Sequence, residues 1–241
     1  MSKRLFYLLM AYFTSADVSG QVLAPDSNVY TAKLNSIELY YQSLGHQSPI
    51  YNGSEYVAYP GFIEEGHVFF ETNSFVKATV GFDGMVFHDI PVLYDLLKDQ
   101  LIIQHYTHLY NITLAPGKAD HFVINNHTFI YLPADSEGKI KPGFYEQLYN
   151  GKTIAFEKRI KTITEEHSTT QITNTVRQKV FYYIKKEGKY YIINNTRGLL
   201  NVLKYKKKEV QQNLNKNHLK FKEQPEQTLA KALQVYDQLT D

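Results

Sequence analysis

Four aspartates crowd into one short stretch of this 241-residue chain: Asp83, Asp89, Asp95 and Asp99. A pair of carboxylates held across a sugar linkage is the machinery of glycoside hydrolysis. Asp89 and Asp95 are therefore the catalytic candidates. Asp83 precedes Gly84 and reads as turn chemistry, since Asp supports turns through its own backbone hydrogen bonds. Asp95 closes the apolar run Val92-Leu93-Tyr94, where a buried structural hydrogen bond is the plainer reading. His105 and His108 stand three apart, with His121 and His127 nearby, and are the metal candidates. A metal needs three or four converging ligands. Positions i and i+3 of a strand point to opposite faces, which argues against chelation by this pair. Surface or hydrogen-bonded histidines are expected instead, with no metal and no other cofactor. Cys is absent, which removes thiol chemistry and Cys-type zinc sites. No nucleophile elbow, phosphate loop, dinucleotide fingerprint, zincin pair or calcium loop is present.

Charge layout is the less ordinary feature. The formal net charge is +2, yet residues 21–150 carry 14 acidic and 6 basic side chains, and residues 177–222 carry 13 basic and 2 acidic ones. Lys204, Lys206, Lys207 and Lys208 surround Tyr205 and form the densest basic patch. One reading is a contact surface for polyanions such as anionic glycolipid or envelope polymer. The other is a solvated helix face, or one that docks onto the acidic half of the same chain.

The elements that must position these residues are mostly hairpins. Phe75–His105 reads as two in a row. Asp83-Gly84 separates two apolar runs, and such a pair favours a two-residue turn with positive φ at both positions. Asp95–Gln100 joins the next two runs as a tight turn or a single helical turn. Asn52-Gly53, Asn125-Asn126-His127, Asn150-Gly151 and Glu187-Gly188 give further hairpin signals. In Thr153–Ile163, Ile154, Phe156 and Ile160 would face the core. Ala155, Glu157, Arg159 and Lys161 would form a charged face that is solvated or meets a polar partner. Glu165–Thr175 is polar and reads as a loop tip. Apolar spacing near 3.6 predicts a helix over Tyr30–Leu44. Beyond Thr196 the same period returns in Leu199–Leu203, in Val210 and Leu214, and in Leu229, Leu233, Tyr236 and Leu239. Pro225 sits at a first helical position.

The expected fold is α+β: a curled antiparallel β-meander of about ten strands, open or partly closed into a barrel, with an N-terminal helix and two or three C-terminal helices. Residues 21–195 are mainly β and residues 196–241 helical, in one domain. The expected core comprises Ile37, Tyr41, Val86, Leu93, Tyr94, Ile102, Phe129, Phe144, Tyr145, Leu148, Phe156, Tyr183, Ile192, Leu200, Leu203, Leu233 and Tyr236.

Residues 1–20 read as a cleaved secretory leader. Lys3-Arg4 precedes the apolar run Leu5–Phe13, and Val18-Ser19-Gly20 offers small residues before a cut at Gln21. A buried N-terminal strand or helix is the competing reading. No Cys follows the run to take a lipid anchor, and no later run is long enough to span a bilayer. A soluble protein of the periplasm or the exterior is expected.

The leader ending in Gly20-Gln21, YNGSEY at 51–56, GFDGMVFHDIPVLYDLLKD at 81–99, GFYEQLYNGK at 143–152 and GLLNVLKYKKKE at 198–209 carry a resemblance. Together they resemble an uncharacterised family of short exported proteins of Bacteroidota, over most of the mature chain. The resemblance implies an envelope or extracellular setting and transfers no catalytic or ligand residue. The expectation is a non-enzymatic binding or structural module of the envelope, with Lys204, Tyr205, Lys206, Lys207 and Lys208 as contact residues. Its partner is an envelope protein or an anionic glycolipid or polymer, and export argues against nucleic acid. The alternative is a hydrolase of envelope or extracellular polymers built on Asp89 and Asp95.

Overall fold

The computed structural model describes Ser36, Tyr40 and residues 43–167 and 172–240. The leader segment 1–20, Ile37, Tyr41 and most of the helix expected over Tyr30–Leu44 lie outside the described residues. Eleven antiparallel strands form one sheet: β1 (Ser54–Glu55), β2 (Val76–Phe82), β3 (Met85–Asp95), β4 (Gln100–Gln104), β5 (Asn111–Thr113), β6 (Ala119–Ile124), β7 (His127–Leu132), β8 (Gly143–Asn150), β9 (Ile154–His167), β10 (Ile172–Lys186) and β11 (Lys189–Ile193). Three α-helices follow: α1 (Thr196–Val202), α2 (Lys207–Lys216) and α3 (Pro225–Leu239), with a 3-10 turn at Lys204–Lys206. The α+β class follows from this order.

The strand order is β1-β5-β4-β3-β2-β6-β7-β8-β9-β10-β11. A single meander is therefore a correction to make: the sheet is two meanders. β2 to β5 wind to one side, and β6 returns to pair with the free edge of β2. Residues 114–118 make the crossing, held where Leu114 N–H meets Leu101 O at 2.9 Å and Asp83 N–H meets Lys118 O at 2.8 Å.

Local turn chemistry accounts for most of the hairpins. Asp83 and Gly84 (φ 53° and 76°), Asn125 and Asn126 (47° and 70°), and Glu187 and Gly188 (51° and 77°) all occupy the positive-φ region that a two-residue reversal requires. Asn150-Gly151 differs, since Asn150 pairs with Ile154 and the loop holds three residues. Asn52-Gly53 is not a hairpin at all. β1 pairs with β5, and a side chain at Gly53 would collide with Thr113 O. The expected loop Glu165–Thr175 is largely strand, with Thr164 opposite Thr175 and Glu166 opposite Thr173.

The sheet curls. β9 lies five places along the ladder from β3, yet Lys161 N–H donates to Leu96 O at 3.0 Å. A seam segment lies against both. Phe70 N–H reaches Tyr94 O at 2.8 Å, Leu96 N–H reaches Val68 O at 3.0 Å, and Val176 N–H reaches Glu65 O at 3.1 Å. Lys161 Nζ donates to His67 O and Phe69 O. No continuous strand ladder joins these edges, so the described sheet is curled but is not a closed barrel.

Inside the curl, Phe70, Tyr94, Phe122, Phe129 and Phe144 stack edge and face, with ring centroids 4.7–5.1 Å apart for the Phe122–Phe129, Phe122–Phe144, Tyr94–Phe129 and Phe70–Phe129 pairs. Burying each such ring stabilises the fold by about 1.5–3 kcal/mol. A second core joins α1–α3 to the far end of the sheet through Leu199, Leu203, Val210, Leu229 and Leu233 against Ile184, Ile193 and Ala155. α3 is fastened at its last turn, where Asp237 accepts from Thr153 N–H (3.0 Å), Thr153 Oγ1 (2.8 Å) and the Tyr149 hydroxyl (3.2 Å). Gly151 leaves room for that carboxylate.

Of the expected core, Leu93, Tyr94, Ile102, Phe129, Phe144, Tyr145, Phe156, Tyr183, Leu200, Leu203, Leu233 and Tyr236 are buried. Leu148 is partly buried. Val86 and Ile192 are each 48% exposed. Both belong to apolar runs in which the pleat turns the neighbour inward, Phe87 and Ile193 respectively. Leu239 falls off the end of its helical stripe and is exposed.

Two glycines test the seam. Gly84→Ala, at a turn open to solvent, is expected to cost about 1 kcal/mol of stability in urea unfolding. Gly143→Ala drives a methyl group into the Asp99 carboxylate, which pairs with Lys158 Nζ at 2.6 Å, and is expected to cost about 3 kcal/mol or more by splitting a mostly buried ion pair. Equal costs would mean that the Asp99 contact contributes little.

Candidate functional site

Asp95 is fully buried. Its Oδ1 accepts from Leu97 N–H (2.8 Å) and Lys98 N–H (3.0 Å), closing the β3–β4 turn, and its Oδ2 accepts from the Tyr56 hydroxyl at 2.8 Å. Burial first, and then the Asp95 contact, push the Tyr56 hydroxyl well above its ordinary pKa. Both oxygens of Asp95 are thus spent on structure. Asp89 lies at a bulge between β2 and β3 with φ 55°, exposed and 3.7 Å from Lys77 Nζ. Asp83 sits in its turn, 3.6 Å from Lys118 Nζ. Asp99 receives the Tyr94 hydroxyl (2.6 Å), Phe144 N–H (3.3 Å) and Lys158 Nζ (2.6 Å). Asp89 and Asp95 do not converge in a cleft.

The histidines also stay apart. His105 and His108 belong to one turn, with His105 Nδ1 2.8 Å from Thr107 Oγ1 and its ring stacked on Tyr110 at 4.3 Å. His121 meets Asp120, and His127 meets Glu146 at 2.7 Å and Glu71 at 3.4 Å. Among the described residues no three His, Asp or Glu side chains are grouped to hold a metal ion.

A charged centre that the alternation on β9 did not reveal lies between sheet and helices. Both faces of β9 are covered: Phe156 is buried on one, and on the other Ala155, Glu157 and Arg159 meet the helical layer while Lys161 reaches the seam. Arg159 meets Glu146 of β8, Glu157 Oε1 at 2.7 Å and Glu226 Oε1 of α3 at 3.1 Å, and its guanidinium lies 5.5 Å from the Phe70 ring centroid. The face reads as polar because it is polar. What the strand alone does not disclose is that its partner is a helix more than 60 residues away, supplying Glu226 at its first turn. Three carboxylates share one guanidinium, and Glu157 is 1% exposed. Burial, reinforced by Glu226 and Glu146 and opposed by Arg159, pushes the Glu157 carboxyl up to about 8. Such a proton-holding acid suits acid–base chemistry in the open. Here it is buried beside the Arg159–Glu226 ion pair that ties α3 to the sheet.

The basic patch is on the surface. Lys204, Lys207 and Lys208 are exposed, Lys206 is half-buried, and Tyr205 is 70% exposed. Lys206 lies 3.7 Å from Glu209. Lys204, Lys207 and Lys208 have no carboxylate partner among the described residues. Lys204 and the buried Lys186 both lie against the Tyr205 ring, at 5.1 and 5.3 Å from its centroid. Among the described residues the exposed lysines of the patch do not dock onto the acidic half of the chain.

Comparison with protein-family models, with curated proteins and with solved structures finds no match to this chain. No described helix is long and apolar enough to cross a membrane.

The Glu157 carboxyl gives a signed pH dependence. A carboxyl raised from 4.5 to about 8 in the folded state holds its proton better there than in the unfolded chain. Its contribution to stability is greatest below the unfolded pKa and is lost as pH rises through the folded one. Urea midpoints are expected to fall between about pH 5 and 8 and level off above, and Glu157→Gln is expected to flatten that fall and exceed the parent at the alkaline end. An unchanged slope in the variant would contradict the assignment.

Proposed function

We propose that this chain is a non-enzymatic binding module of the bacterial envelope, exported by its leader and similar to the exported Bacteroidota proteins that its motifs resemble. Its ligand is an anionic glycolipid or envelope polymer, and its contact residues are Lys204, Tyr205, Lys206, Lys207 and Lys208. The observation that carries this reading is the cluster of exposed lysines without carboxylate partners around one exposed aromatic ring. A fold that surrounds Arg159 with three carboxyl groups leaves these ammonium groups without a carboxylate partner among the described residues. Such a surface attracts polyanions and loses its grip as salt screens it. Tyr205 supplies a flat apolar contact that a purely ionic patch lacks. Hydrolysis by Asp89 and Asp95 has less to support it, because the two carboxylates lie apart and one of them is fully hydrogen-bonded.

Replacing Lys204, Lys206, Lys207 and Lys208 together by Glu is expected to weaken retention on immobilised heparin and on lipopolysaccharide by about tenfold or more at low salt. Three of the four positions are exposed and Lys206 is half-buried, so circular dichroism checks that the fold is kept. Unchanged retention would remove the patch from the account.

A further inference from the structure

Next to the helical layer, Tyr182 of β10, Asn194 and Thr196 at the start of α1, Phe221 and Lys222 before α3, and Pro225 line a surface groove of about 410 Å³. Its floor is aromatic: Tyr182 and Phe221 meet edge to face, with centroids 5.5 Å apart. Its rim is polar and unspent. Among the described residues the side chains of Asn194 and Thr196 and the Tyr182 hydroxyl make no hydrogen bond, and Lys222 has no carboxylate partner. The other polar groups around it are used up. Asn195 accepts from Gly198 N–H, Lys220 pairs with Glu223, and Glu226 is held by Arg159. Four unpartnered polar groups above two aromatic rings, in a groove of ligand size, make a binding site in outline. Burial, and then the charges of Glu157 and Glu226, raise the Tyr182 hydroxyl, so it stays protonated and can donate.

The chemistry suits a sugar ring. A pyranose presents an apolar C–H face to an aromatic floor and hydroxyl groups to amide and hydroxyl partners at the edge. Lys222 adds one cation for a carboxylate or sulfate on the ring or its neighbour. Thr196, in the groove, opens α1, and the lysine patch starts at Lys204 just past its end, eight residues on, or about 12 Å at helical rise. We propose that the groove is a glycan subsite that seats one pyranose ring of an anionic polysaccharide whose continuing chain crosses the lysine patch. This rests on the binding reading above and deepens it, because it selects a sugar polymer over any other polyanion.

The test compares a heparin tetrasaccharide with a linear polyphosphate of matched charge, by calorimetry on the full chain. Asn194→Trp fills the groove from its exposed rim. It is expected to weaken the tetrasaccharide at least fivefold and to leave polyphosphate unchanged. Asn194→Ala, which removes only the amide, should weaken the tetrasaccharide less. Equal losses for both probes, or no loss for either, would overturn the subsite. The four-lysine glutamate variant separates the two claims. If it binds both probes like the parent, the patch reading fails, and the Asn194→Trp comparison still decides the groove.

Discussion

Lys161 and Leu96 bring together two strands that sit five places apart in the ladder. Everything inside the curl depends on that meeting. A flat antiparallel sheet of this width would leave its aromatic face wet, and one layer of helices could cover only part of it. Curling lets the sheet bury its own rings, so Phe122, Phe129 and Phe144 pack against Tyr94 and Phe70 without help from α1, α2 or α3. The chain stabilises the meeting with buried polar contacts rather than a full strand ladder. Lys161 Nζ is spent on two backbone carbonyls of the seam, and Asp99 gathers a hydroxyl, an amide and the Lys158 ammonium. Burial pushes Lys158 down and Asp99, 2.6 Å away, opposes it.

The helical layer is thereby freed for another task. It covers only the β8–β11 end and is held there by apolar stripes and two polar anchors, Glu226 on Arg159 and Asp237 on Thr153. The exposed lysines follow α1, in the 3-10 turn and the first turn of α2. The division of charge follows from this construction. Asp83, Asp95 and Asp99 of the β region are engaged in turns and seam contacts, whereas Lys204, Lys207 and Lys208 have no carboxylate partner among the described residues. The proposed binding surface is what remains once the internal contacts are satisfied.

Much of this was legible locally. Asp83-Gly84, Asn125-Asn126 and Glu187-Gly188 reverse the chain because two successive positive-φ residues leave it little choice, and the C-terminal helices follow from apolar spacing. The lysine patch is read directly from its run. Long-range features were not legible. Nothing near β6 says that it returns to β2. The alternation of Glu157 and Arg159 is the same whether that face meets water or Glu226. Val86 and Ile192 sit in apolar runs where burial of one residue exposes the next, so composition could not choose the face. Asp95 was readable as a structural acid from its place at the end of an apolar run. The groove was not readable, because Tyr182, Asn194 and Phe221 come from three separate elements.

The curl can be tested where it closes. Native-state hydrogen exchange followed by NMR should find the amides of Phe70, Leu96 and Lys161 protected to the same degree as those of the β2–β6 ladder, opening only when the whole molecule unfolds. Exchange of those three amides orders of magnitude faster, beside an intact β2–β6 ladder, would mean that the sheet lies open and that its aromatic interior is held in some other way.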